Sequence, residues 1–177
     1  MTVTDMQMVA DLAKAKGIIT MIDNTFASPV NQNPAEFGID IILHSATKYM
    51  GGHSDILAGA VACSEAHMDK IWNKAKNLGG SLSDFSVWML ERSLKTMVLR
   101  VKQQNKNAKK LAKWLKQNGH VKAVYYPGLK THPDYELAKK QMSGFGGMLS
   151  FELSDELDAS AFMKELKLIK PSMSLAG

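Results

Sequence analysis

The chain has 177 residues, of which 45% are hydrophobic and 22% are charged, and its formal net charge is +5. These values exclude a disordered or low-complexity chain and suffice for one sizeable domain, or for a medium domain with a smaller one. No apolar run approaches the roughly 20 residues of a membrane helix, and residues 1–17 lack the pattern of a secretory signal. The single cysteine, Cys63, excludes a disulfide framework and a cysteine metal cluster; we expect it to pack in the core of a cytoplasmic protein.

The first third of the sequence predicts a helix followed by three strands. Thr4 and Gln7 have capping-box spacing, and Gly17 ends the helix that follows. Apolar runs at 18–22, 39–43 and 57–63 predict strands, the first two buried on both faces. Fully apolar strands that alternate with helices predict an α/β sheet that is at least partly parallel.

Polar residues follow the first two strands directly. Asp23 ends one strand, and Ser45, Thr47 and Lys48 follow the next, just before Gly51. In α/β sheets the chemistry gathers at the carboxyl ends of the strands. Hydroxyls in a tight turn suit a phosphate, a lysine there can form a Schiff base, and a carboxylate can hold a protonated ring nitrogen. From the residues alone, a lysine in a turn and an aspartate that caps the next segment is the simpler interpretation.

Two helices are predicted at about 65–77 and 83–116, the second interrupted near Lys95 and Thr96. Six lysines lie between 102 and 116, opposite an apolar stripe at Ala108, Leu111, Ala112 and Leu115. This arrangement favours a solvated helix face over a nucleic-acid surface, because no aromatic–basic pattern accompanies it.

From residue 121 the elements become shorter. The pattern predicts strands at 121–126 and 148–153, helices at 134–142 and 159–166, and an extended segment at 169–174. We interpret them as a second α/β unit hinged near Gly119, which gives a partial cofactor-binding large domain at 1–118 and a partial small domain at 119–177.

Five separated stretches of the sequence form distinctive motifs. They are DNTFASP at 23–29, HSATKYMGGHSD at 44–55, ERSLKT at 91–96, YPGL at 126–129 with HP at 132–133, and GFGGM at 144–148. Together they resemble the Cys/Met-metabolism family of pyridoxal-phosphate (PLP) enzymes, which includes cystathionine lyases, cystathionine γ-synthase and methionine γ-lyase. They occur in the family's order and cover nearly the whole chain. The resemblance implies the type I (aspartate-aminotransferase-like) PLP-dependent transferase fold, with an incomplete large-domain sheet and part of the small domain.

The resemblance also implies roles for five residues. Lys48 matches the Schiff-base (aldimine) lysine and later base, Asp23 the partner of the pyridine nitrogen, and Ser45 and Thr47 the donors to the cofactor phosphate. Ser174 matches the serine near the substrate carboxylate. No metal is implied, and we expect Asn33, His44 and His53 to be structural.

The implied function is elimination or replacement at Cγ or Cβ of a small sulfur amino acid, with overall resemblance favouring a γ-acting enzyme. For a complete enzyme it implies a homo-oligomer, a tetramer built of dimers, with neither a nucleic-acid nor a membrane partner. Family members are longer: their phosphate-binding glycine loop, stacking tyrosine and carboxylate-binding arginine match no part of this sequence. The alternative is therefore a truncated, non-catalytic remnant that turns over no substrate by itself, or that acts as a binding module through its lysine-rich helix.

Overall fold

A three-stranded mixed sheet forms the centre of the first part of the chain. The computed structural model describes residues 1–172 and 174–176. In this sheet β1 (Met21–Asp23) runs parallel to β2 (Ile41–Ser45), and β3 (Gly59–Cys63) pairs antiparallel with β2 on its other side. The partly parallel sheet predicted from the apolar runs is confirmed.

Four helical segments precede, separate or follow the strands of this sheet along the sequence. They are α1 (Met6–Ala15), α2 (Ser28–Asn31), a 3₁₀ helix (Pro34–Phe37) and α3 (Glu65–Leu78). Met6 and Ala10 of α1 pack on Ile39 and Ile42, which forms the first of two apolar cores. The helix α1 thus covers one face of the sheet through its buried stripe.

A second, two-stranded sheet lies in the C-terminal part. β4 (Val121–Tyr125) and β5 (Ser150–Leu153) are antiparallel, and the helices α5 (Tyr135–Gln141) and α6 (Ala159–Glu165) accompany them. The strands and helices expected after residue 120 are confirmed within two residues at each end. No strand includes the described residues 169–172 and 174, where the extended segment was predicted; Met173 lies outside the described residues.

The long helix α4 (Asp84–Lys116) joins the two parts. Its buried Ala108 and Ala112 pack on Tyr126 and Leu129 in the second core. The N-terminal segment also reaches across, because the Val3 amide donates to Asp134 at 2.9 Å. The two ranges 1–118 and 119–177 therefore contact each other, and the boundary between them stays a prediction.

Four local predictions were wrong. The helix α4 is continuous through Lys95 and Thr96, because neither residue breaks a helix and the Thr96 hydroxyl donates back to the Ser93 carbonyl at 3.2 Å. The cap of α1 is Asp5, one residue later than expected, since its side chain accepts from the Met8 amide at 3.0 Å.

The burial of the first strand was also wrong. Met21 is 61% exposed, and Ile18 and Ile19 are exposed as well. Among the described residues β1 pairs with β2 alone, so its other edge is open. Cys63, at the end of β3, is only half-buried rather than part of the core.

The predicted solvated face of α4 is confirmed. All six lysines between 102 and 116 are exposed, while Ala108, Ala112 and Leu115 are buried. Among the described residues no helix combines the length and apolar character needed to cross a membrane.

Candidate functional site

The parallel pairing of β1 and β2 brings two of the predicted site segments to one edge of the sheet. In the register Asp23 lies beside Leu43, two residues before the end of β2 at Ser45. Asp23 is exposed, whereas Ser45 and Lys48 are half-buried. The carboxylate and the lysine-bearing turn therefore lie at the same edge of the sheet, where the parallel strands β1 and β2 end.

The turn that carries Lys48 is held by its own main chain. The Lys48 amide donates to the Ser45 carbonyl at 3.0 Å, and the Gly52 amide donates to the Lys48 carbonyl at 2.7 Å. Gly52 has φ +69°, a left-handed conformation that L side chains rarely adopt. Gly51 leaves no room either, because a Cβ there would lie 2.9 Å from Ile56. The two glycines allow the chain to turn back tightly after the lysine.

The lysine side chain reaches the C-terminal part of the protein. Its Nζ donates to the Ser174 hydroxyl at 2.8 Å, although 126 residues separate the two in sequence. Lys48 and Ser174 belong to separate sequence motifs that were both predicted to serve one site, and the structure brings the two side chains into contact. Ser174 itself is exposed, so the contact lies at an accessible surface.

Thr47 is tied to the segment that leads into β3. Its hydroxyl accepts from the Ala58 amide at 2.9 Å and donates to the Ala58 carbonyl at 3.3 Å. The second of these bonds is long, and hydroxyl protons rotate to suit their partners. Thr47 can therefore keep the bond from Ala58 and turn its proton toward a phosphate oxygen.

Thr25 belongs to the site edge and was given no role by the sequence. Its amide donates to the Asp23 carboxylate at 2.9 Å, and its hydroxyl accepts from the Ser45 amide at 2.7 Å. One buried residue therefore orients the acid and joins the ends of both strands. The signal available was its position two residues after an aspartate, the spacing of an Asx turn.

His44 lies on β2, and its side chain is buried. Burial lowers its pKa from the ordinary value, and the negative charge of Asp23 raises it back in part. His53 and Asn33, the other two residues expected to be structural, contact the Gly51 carbonyl and the Glu36 carboxylate, respectively. These three placements have a structural explanation in packing and hydrogen bonding.

Arg100, on α4, is the second residue that the sequence missed. Its guanidinium donates to the carbonyls of Tyr49, at 2.9 Å, and Met50, at 3.3 Å, directly after Lys48. It lies about fifty residues away in sequence, so periodicity gave no sign of this contact; only the fold brings it there.

The residues at this edge fit pyridoxal phosphate. They offer a primary amine, a carboxylate on the neighbouring parallel strand and hydroxyls in a tight turn. Carboxylate, amine and hydroxyl match a ring nitrogen, an aldehyde and a phosphate, respectively. Among the described residues no cluster of histidine, cysteine or carboxylate side chains offers a metal site.

The chain is similar to known enzymes along its full length. It is 44% identical over 176 residues to the cystathionine beta-lyase of Lactococcus lactis subsp. cremoris (strain MG1363), with 99% of this chain and 46% of the relative aligned. It is 42% identical to the cystathionine gamma-lyase of Bacillus subtilis (strain 168), over 98% of this chain and 46% of the relative.

Solved structures agree with this similarity. The crystal structure of cystathionine gamma-lyase from Lactobacillus plantarum complexed with L-serine matches with a TM-score of 0.96 and 41% identity, over 99% of this chain and 46% of the other. The predicted fold class is thereby confirmed. The chain spans about half the length of the curated relatives it matches.

The family model for Cys/Met metabolism PLP-dependent enzymes matches residues 1–177. The predicted cofactor is that of the family, and the order of motifs along the chain agrees with it. The chain therefore belongs to the Cys/Met metabolism family of PLP-dependent enzymes.

Proposed function

We propose that this chain provides the cofactor-lysine part of an enzyme that eliminates or replaces a group at Cγ or Cβ of a sulfur amino acid. The observation that carries the proposal is the position of Lys48: its turn follows β2, beside the strand that ends in Asp23, and its amine contacts Ser174 at 2.8 Å. Relatives named cystathionine beta-lyase and cystathionine gamma-lyase make cystathionine the first substrate to test.

Each site residue has a chemical role in this proposal. PLP, when bound, withdraws electrons from the substrate Cα, so that its proton can leave. Lys48 attaches the cofactor and then takes the Cα proton, returning it at a neighbouring carbon. Asp23, oriented by the Thr25 amide, keeps a proton on the ring nitrogen. Ser45 and Thr47 donate to the phosphate.

Ser174 acts on the lysine and on the substrate. Its hydroxyl accepts a hydrogen bond from the Lys48 amine and therefore holds that amine on one side of the site. Because Ser174 is exposed, the same hydroxyl can meet an α-carboxylate that enters from solvent. The residue would thus align the amine with the Cα proton that it removes.

The remaining parts of the proposal follow from the family and from the sequence. They are a homo-oligomeric assembly, a cytoplasmic location and a division into two domains at 1–118 and 119–177. The contacted turn at 45–52 and the Ser174 segment would then come from different domains, with the site between them.

Turnover of cystathionine by the PLP-treated chain tests the proposal. Cleavage of the Cβ–S bond releases homocysteine, pyruvate and ammonia, whereas cleavage of the Cγ–S bond releases cysteine, 2-oxobutyrate and ammonia. We expect one of these two sets of products from the unaltered chain and at least about a hundredfold less of it from Lys48→Ala, because a positioned base is removed. Lys106→Ala, an exposed lysine of α4, is the matched control.

The products also decide between the alternatives. Equal rates from Lys48→Ala and the unaltered chain would reject the catalytic role of Lys48 and favour the non-catalytic remnant. No product from either would reject the two eliminations, because an enzyme that only replaces a group at Cγ forms a C–S bond and does not cleave cystathionine. The identity of the oxo acid assigns the reaction to Cβ or Cγ.

A further inference from the structure

The guanidinium of Arg100 donates hydrogen bonds to four different oxygens. Nη1 donates to the Tyr49 carbonyl at 2.9 Å, and Nη2 is shared between the carbonyls of Met50, at 3.3 Å, and Ser93, at 2.9 Å. Nε donates to the Thr96 hydroxyl at 3.1 Å. Two of these acceptors lie in its own helix and two in the turn that carries Lys48.

The two helical acceptors fix the direction of the side chain. Ser93 and Thr96 lie seven and four residues before Arg100, so their oxygens stand on the same helix face. A planar guanidinium held at Nε and Nη2 has little rotational freedom left. The helix alone therefore sets the direction of the side chain, and Nη1 and the second proton of Nη2 face the turn that carries Lys48.

The turn is shaped to receive this group. Gly52 has φ +69°, and a Cβ built on it would overlap the Arg100 guanidinium at Nη1. The main chain therefore approaches the arginine as closely as it can without a side chain. Burial lowers the pKa of Arg100 from its ordinary value, a sign that the group has left bulk water to make these bonds.

The bonds act on the backbone next to the lysine. Through the carbonyls of Tyr49 and Met50 the arginine holds the peptide planes at 49–50 and 50–51, and the Gly52 amide holds the Lys48 carbonyl, in the plane before them, at 2.7 Å. With those planes fixed, the direction in which the Cα–Cβ bond of Lys48 leaves the main chain is restricted as well, and the side chain extends from there to Ser174. Without Arg100 two carbonyls lose charged donors, which favours other arrangements of the turn.

We propose that Arg100 is a positioning residue for Lys48, locking the turn at 45–52 so that the lysine amine stays at the site edge. This inference deepens the proposed function and rests on it. Arg100 acts through the main chain and contacts neither the amine nor the acid. A lysine at position 100 cannot replace it, because an ammonium has three donors on one atom and cannot reach four acceptors that bond three different guanidinium nitrogens.

The first test follows amide hydrogen exchange in the full chain. In Arg100→Lys and Arg100→Gln we expect the amides of Lys48, Gly51 and Gly52 to exchange about tenfold faster, since hydrogen bonds to a charged group are lost. Amides of β4 and β5 should keep their rates. Arg92→Gln, an exposed arginine of the same helix, is the matched control.

The second test follows covalent attachment of PLP to Lys48, trapped with borohydride and quantified by peptide mass spectrometry. We expect both Arg100 variants to attach PLP about tenfold more slowly. Arg100→Ala should regain the rate in low guanidinium chloride, while Arg92→Ala should not respond. Recovery by free guanidinium would show that the group itself, at that place, sets the rate.

A glycine pair provides an independent check. Gly52→Ala drives the arginine away and should reproduce the Arg100 phenotype. Gly17→Ala has the same backbone cost at φ +64°, but nothing lies within 4 Å of the added atom, so it should leave Lys48 unaffected.

The outcomes separate the two proposals. If the unaltered chain attaches no PLP at Lys48, the proposed function fails, and the exchange rates alone decide whether Arg100 locks the turn. If PLP attaches and the Arg100 variants match the unaltered chain in both rate and exchange, the positioning role is overturned. It is also overturned if exchange rises equally in β4 and β5, because Arg100 would then support the whole fold.

Discussion

Single residues at the end of the sheet hold the site together through short hydrogen bonds. Thr25 is 7% exposed, and its two bonds, to Asp23 and from Ser45, join β1 to β2 beyond the last paired residues. Lys48 and Asp23 were predicted from the sequence because their residue types and motifs are distinctive. Thr25 and Arg100 were not, since a hydroxyl and a guanidinium serve many purposes and only tertiary contact shows which.

Thr25→Val tests the first of these links. Valine keeps the shape of threonine but leaves the Ser45 amide without an acceptor, so we expect the free energy of unfolding to fall by about 1–3 kcal/mol. Urea unfolding measures it. Thr2→Val, at an exposed position, is the control and should change stability by less than about 0.5 kcal/mol. Equal, small effects of both substitutions would contradict the link.

His44 makes the free energy of unfolding depend on pH. Its pKa is lowered in the folded protein by burial, so the unfolded chain binds more protons as the pH falls below the ordinary value of 6.5. The stability due to neutral His44 is complete above that value and is lost on acidification through it. We expect the urea midpoint to fall less between about pH 7.5 and about pH 5 in His44→Gln than in the unaltered chain.

The exposed His120 provides the comparison for that measurement. His120→Gln, the same substitution at an exposed position, is measured beside His44→Gln. A His44→Gln profile parallel to that of the unaltered chain would show that His44 does not carry the effect.

Among the elements, the helix α4 does most to connect the chain. Its positions 108 and 112 are alanines, with 5% and 0% exposure, and this narrow face lets Tyr126 approach the helix closely. The Tyr126 hydroxyl then donates to the Gly146 carbonyl at 3.1 Å, and burial raises the pKa of Tyr126 to about 12. The helix thereby supports both Arg100 and the second sheet.

Ala112→Leu tests this packing. Three added carbons meet an already filled space, so we expect a loss of about 1–3 kcal/mol in the free energy of unfolding. Lys113→Leu, next in the chain but exposed, should change stability little. Urea unfolding of both variants decides, and a neutral Ala112→Leu would mean that the face is not closely packed.

Elements were predicted more accurately in type than in environment. Helices and strands matched because their apolar periods are local properties of the sequence. The predicted break in α4 was wrong, since one threonine costs a long helix little once both ends are packed. The burial expected for residues 18–22 was wrong. An apolar run shows that a strand favours burial, but it does not show that another strand or helix packs over it.

At the scale of the whole molecule, the fold brings distant segments to one edge of a sheet. Asp23 and the lysine turn come from neighbouring strands, Arg100 from a long helix and Ser174 from near the end of the chain. The family motifs predicted five site residues. Four of them lie in the first third of the sequence, and the fifth, Ser174, lies far from them. The contact between Lys48 and Ser174 depends on the path of the whole chain between them.

The most direct measurement of the central claim is the position at which PLP attaches. The purified chain is incubated with PLP, reduced with borohydride and digested, and the pyridoxyl groups are located by mass spectrometry. We predict one dominant modified peptide, carrying the label on Lys48, and its loss in Lys48→Ala. Labels spread over the exposed lysines of α4, with none enriched at Lys48, would contradict the claim that this edge of the sheet is a PLP site.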